Sequence, residues 1–131
     1  MGPVRDTQAM ISGMAPVLDD TLYHFCVADE ALLPHALASF REDEGLSLIL
    51  SDDVVCAHNM AADLPMRRIT LTVHSALDGV GLTAAVATAL AQEGIACNMV
   101  AGAHHDHAFV PAEDAARALR ILQNLAGEEH A

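Results

Sequence analysis

Apolar and polar residues alternate along Ile69-Thr70-Leu71-Thr72-Val73-His74, which predicts a strand over residues 67–74 with one buried and one wetter face. The period then changes. Leu82, Ala85, Val86, Ala89 and Leu90 recur at helical spacing, so a helix is expected over 82–93, stopped by Gly94. Residues 95–101 read as a second strand, Gly102 as a turn and 106–110 as a third strand. Pro111 suits a helix start, and Glu113 and Asp114 favour the first turn. Ala115, Ala118, Leu119, Leu122 and Leu125 mark its apolar face, and Gly127 reads as its end before a polar tail.

The first half is patterned less regularly. Residues 1–6 read as a loose tail, and 7–14 as a short helix with Met10, Ile11 and Met14 on one face. Gly13 and Pro16 stop it, and Asp19-Asp20 signals a turn. Residues 22–28 read as a strand, with Tyr23, Phe25 and Val27 on one face and Leu22, His24 and Cys26 on the other. Pro34 breaks the stretch 29–38 into a loop or a distorted helical turn. A hairpin follows, 39–42 with 46–50 around Glu44-Gly45. Ser51 is placed to cap a short helix over 52–58, and 59–65 joins the halves.

This order predicts an α+β protein: antiparallel strands in a layer, covered by helices. The strand at 67–74, helix at 82–93 and strand at 95–101 suit a ferredoxin-like split βαβ unit. Two halves are expected, 1–64 (with the tail and short helix) and 65–131.

Composition narrows the function. The chain has 131 residues, 53% hydrophobic but only 3% aromatic, so its core must be aliphatic. Its formal net charge is −12, with six arginines and no lysine. Clustered cations supply the affinity for nucleic acids and anionic membranes, so neither partner is expected. Cys26, Cys56 and Cys97 are odd in number and form no CxxC motif, which fits small core residues in a reducing compartment. The N-terminus shows no signal-peptide pattern, and no apolar run reaches the roughly 18 residues of a membrane span. A cytoplasmic protein is expected.

The glycine turn at 75–81 is the leading candidate for chemistry. Gly79 and Gly81 let backbone approach a ligand, and free N–H groups where the helix begins can hold an anion. A plain strand-to-helix turn needs the same glycines. Gly79-Val80-Gly81-Leu82-Thr83-Ala84 also matches a dinucleotide fingerprint, but the chain is too short for the parallel strand–helix units that fold requires. The run His104-His105-Asp106-His107 offers metal-ligating groups. On a strand it presents two ligands per face, short of a complete site, and a polar turn entering a strand is the better reading. His74 and Ser75 are adjacent and face opposite ways, there is no GxSxG, and Cys97 with His107 lacks an orienting group. No catalytic residues are assigned, and no enzyme is expected. The acid pairs Asp19-Asp20, Asp52-Asp53 and Glu128-Glu129 read as caps and solvated faces.

The stretch 67–86, with its strand, Gly79-Val80-Gly81 turn and helix, resembles the opening of an ACT domain. Ile95-Ala96-Cys97-Asn98-Met99-Val100-Ala101-Gly102 resembles its second strand, and His105-Asp106-His107-Ala108-Phe109-Val110-Pro111 its third. With the hairpin at 38–48, the chain is similar to small bacterial stand-alone proteins built from two ACT-like halves, over about residues 15–126. The resemblance implies a ferredoxin-like (ACT-type) antiparallel sheet with helices on one face and two interlocked βαβ-type halves. It implies a regulatory protein that senses a small molecule, an amino acid in most such domains, and works as a homodimer or higher homo-oligomer without a cofactor. Carried over, its ligand residues are Ser75, Leu77, Asp78, Gly79, Val80, Gly81 and Leu82, with Asn98 on a facing strand. The first half has no glycine loop, so an equivalent second site is not expected. No strand follows the last helix, and the strand near Leu22 or another subunit is expected at that edge. The alternatives are a metal-binding protein or small metalloenzyme using His104, His105, Asp106 and His107, or a dimerisation module without a ligand.

Overall fold

The computed structural model describes residues 2–130, with side chains through residue 127. In chain order the elements are α1 (Thr7–Ser12), β1 (Val17–Leu18), β2 (Tyr23–Val27), a 3-10 turn (Glu30–His35), β3 (Ala38–Glu42), β4 (Gly45–Ser51), α2 (Asp52–Ala57), β5 (Met66–Leu71), α3 (Leu82–Gln92), β6 (Asn98–Ala101), β7 (Asp106–Pro111) and, after a second 3-10 turn, α4 (Ala115–His130). Packing divides them into two units. Residues up to Asp20 and from Arg67 onward form one, and Thr21–Met66 forms the other.

In the first unit β7 lies between β5 and β6, so β5, α3 and β6 make a split βαβ crossover. β1 pairs antiparallel with β5 on its other side, Val17 opposite Thr70 and Leu18 opposite Ile69. The edge expected for the strand near Leu22 or another subunit is taken by β1 at Ile69 and Thr70 and by that strand, β2, at Met66, where Tyr23 pairs. Helices α1, α3 and α4 contact one another. The core unites Met10, Ile11 and Met14 with Ile69 and Leu71, with Leu82, Val86 and Leu90, and with Val110, Ala118 and Leu122. These are the periodic positions of the sequence, and their aliphatic character follows from the scarcity of aromatics. The short helix grouped with the first half by sequence order thus packs with the later elements, because its apolar face completes their core.

In the second unit β4 pairs with β3 on one side and β2 on the other, both antiparallel. The β3–β4 register, Glu42 opposite Gly45, puts Asp43 and Glu44 in a two-residue turn, and Gly45 has φ +144°. Leu48, Leu50 and Val55 form its core, flanked by Leu32, Leu46, Val54 and Met60. The α+β architecture, antiparallel strand pairs with helices and a split βαβ crossover, is as the sequence predicts.

Several boundaries differ from expectation for physical reasons. Residues 1–6 are not loose at Val4, which donates N–H to His74 O at 2.7 Å and accepts from Ala76 N at 2.8 Å. β5 ends at Leu71, where Thr72 bonds the segment that follows α1: its N–H reaches Met14 O and its hydroxyl Ala15 O. β6 starts only at Asn98. α4 runs through Gly127 to His130. Gly127 lacks the positive φ that Gly94 uses to end α3 (+71°), and a lone helical glycine costs only about 1 kcal/mol.

Candidate ligand site around the glycine loop

Beyond Leu71 the chain leaves the ladder, and Ser75 N bonds Val73 O at 3.0 Å. Gly79 N then bonds Ala76 O at 3.0 Å, and the loop meets α3 at Gly81, whose φ is +111°. That left-handed backbone is where glycine is required. Ala85 N bonds Gly81 O, the first hydrogen bond of α3.

The loop is not open on all sides. Thr7 donates its hydroxyl to Val80 O, and a Cβ on Gly81 would lie 2.6 Å from Thr7 Cγ2. A Cβ on Gly79 would lie 3.0 Å from Met10 Sδ. Val4 bridges Ser75 in parallel fashion, and Arg5 Nε donates to Asp78 Oδ1 at 3.1 Å. The N-terminal segment is therefore strapped along the loop, and both glycines provide the close approach it needs.

Next to the strap is a cavity of about 310 Å³ lined by Pro3, Arg5, His74, Ser75, Ala76, Leu77, Asp78 and Ala103. Of the residues expected to bind a ligand, Ser75, Leu77 and Asp78 line it; Gly79, Val80, Gly81, Leu82 and Asn98 are not among its walls. Ser75 is buried and donates its hydroxyl to Asp106 Oδ2 at 2.9 Å, which ties the loop to β7. Leu82 is buried in the core under α3. Leu77 and Val80 are 74% and 77% exposed. Asn98 opens β6 opposite Phe109. Sequence reasoning missed Arg5, the cation on this wall, because it lies 73 positions from its acid.

The histidine run scatters. His107 Nδ1 lies 3.1 Å from Thr70 Oγ1, and His105 Nδ1 lies 3.4 Å from Val73 O. Asp106 is engaged by Ser75, and the His104 ring sits 5.2 Å from that of His74. Among the described residues no three His, Cys, Asp or Glu side chains converge as a metal site. Burial first, then the Arg68 guanidinium and His105, hold the His107 imidazole below its ordinary value. Burial likewise raises the Cys26 and Cys97 thiols, and Asp52 with burial raises Cys56, so none of the three is poised as a thiolate nucleophile. No helix among the described residues is long and apolar enough to cross a membrane.

Two ACT-domain family models match the chain, one over residues 3–67 and the other over 64–124. No curated protein matches it. Among solved structures it is similar to a Vibrio cholerae protein of unknown function, VC0802, described as a possible transport protein. The two share 40% identity over 91% of this chain and 94% of the other, with a TM-score of 0.82. The ligand-free regulatory subunit of aspartate kinase from Thermus thermophilus shares the fold at 12% identity, covering 86% of this chain and 97% of that one, with a TM-score of 0.65. The corresponding subunit from Thermus flavus aligns at 12% identity over 84% and 95%, with a TM-score of 0.59. With a family match on each half and this fold beneath them, the chain belongs to the ACT-domain family.

Proposed function

We propose that this protein is a non-catalytic, cytoplasmic regulatory module that binds an amino acid in the cavity beside the glycine loop. The observation that carries the reading is the Arg5–Asp78 pair on that cavity's wall. A free amino acid carries a carboxylate and an ammonium, the complements of these two groups. Both side chains are largely exposed, so their mutual ion pair is weak and easily exchanged for ligand contacts. The cavity volume is at the lower end of the range for small-ligand sites.

Binding would be coupled to pairing of copies. Leu77 and Val80 expose apolar surface beside the cavity, and a neighbouring copy that covers them would bring a strand such as the one opened by Asn98 towards the ligand. Ligand held at a shared edge stabilises the paired state by mass action. A relative's role also supports a regulatory reading: the Thermus thermophilus protein of the same fold is a regulatory subunit.

The test is thermal melting of the full chain against each of the twenty amino acids. At about 100 times its dissociation constant a ligand adds roughly 2.7 kcal/mol. A rise in Tm with one or a few amino acids, lost in Arg5→Gln and Asp78→Asn, is the expected result. A flat response to all twenty would overturn the reading.

A further inference from the structure

The unit Thr21–Met66 holds a cavity of its own, about 340 Å³, lined by residues 24–27 of β2, by four residues of the 60–64 linker and by Met66. β2 pairs with β4 along its whole length, but with β5 only where Tyr23 meets Met66. The cavity lies against β2 and the linker, within this unit.

His24 is its polar feature. The residue is 3% exposed, and its Nε2 lies 2.8 Å from Asp52 Oδ1. A carboxylate accepts hydrogen bonds, so Nε2–H donates to Asp52, and the tautomer this contact selects has Nδ1 as its acceptor. Asp63 adds a carboxylate at the exposed rim. Phe25, Met60, Leu64 and Met66 give the cavity an apolar wall. No arginine lines it, and the chain has no lysine. The unit carries eight acidic residues against Arg41, whose guanidinium donates to Glu30. Such a field attracts cations and repels carboxylates.

From the acceptors, the acidic field and the apolar wall, we propose that this cavity binds a small organic amine: an ammonium group on an apolar body. The ammonium donates to His24 Nδ1 and Asp63, and the body packs on Phe25 and the methionine thioethers. The proposal is independent of the glycine-loop site and of what binds there.

The test is calorimetric titration of the full chain with 2-phenylethylammonium and, separately, with 3-phenylpropionate, a carboxylate of similar body. Saturable binding of the ammonium, at least about tenfold tighter than the carboxylate, is expected. Backbone amide shifts should fall on residues 24–27 and 60–66. Leu64→Arg places a guanidinium at the mouth from a position 54% exposed, and should weaken the ammonium about tenfold or more with Tm unchanged. Asp63→Asn, at an exposed site, should also weaken it and keeps the test decisive if Leu64→Arg unfolds the unit. Equal or tighter binding of the carboxylate, no saturation by about 10 mM, or undiminished binding in folded variants would overturn the proposal.

Discussion

Gly81 shows how one residue serves two constraints. Its φ of +111° disfavours any side chain, and Thr7 Cγ2 occupies the space a Cβ would fill. Gly81→Ala should therefore cost about 1–3 kcal/mol. Gly94 also has positive φ (+71°) but nothing within 4 Å of a built Cβ. Gly94→Ala should cost less, about 1 kcal/mol, from backbone strain alone. Urea denaturation of both variants checks the ordering; equal losses would mean that Thr7 yields freely. The need for glycines at 79 and 81 was legible in the sequence. What approaches them was not, because Thr7 and Val80 lie 73 positions apart and no local pattern links them. His107 makes a second residue-scale prediction. Burial, Arg68 and His105 lower its pKa from the ordinary 6.5. Below that value the unfolded chain takes up the proton before the folded one does. The stability contributed by this group is thus complete above about pH 6.5 and is lost as pH falls towards the lowered folded pKa. His107→Gln should show a smaller drop in Tm between about pH 7.5 and about pH 5.5 than the parent chain. An equal drop in both would show that His107 has no part in it.

At the scale of elements, strong periodicity carried the reading and short pieces escaped it. The alternation in β5 and the apolar stripe of α3 gave type and position, and Gly94 marked the end of α3. β1 has two residues between Pro16 and Asp19, too few for any period to show. Thr72 reads as the next strand residue by alternation, yet it leaves the ladder because Met14 and Ala15 offer it carbonyls. The short α1 was legible as a helix with a three-residue apolar face, but its place was not. That face belongs to the core of α3, α4 and β5. Met10 and Met14 are fully buried there, so Met10→Ala and Met14→Ala should each cost about 2–5 kcal/mol. Hydrogen exchange should show the loss in α3 and α4 amides; a loss confined to α1 would mean the helix is an appendage.

For the whole molecule, an ACT-domain match on each half, a net charge of −12 and an aliphatic core describe a small acidic member of that family. The fold was readable because its strand and helix periods are strong. The candidate site was readable only in its loop, since Arg5 and the strap come from the other end of the chain. The central claim is that an amino acid occupies the cavity walled by Arg5, Ser75 and Asp78. It is tested most directly by mapping backbone amide shifts of the full chain on titration with each of the twenty amino acids. The account predicts saturable shifts from one or a few of them, centred on residues 3–7 and 74–82. Saturable shifts centred elsewhere, or none with any amino acid, would contradict it.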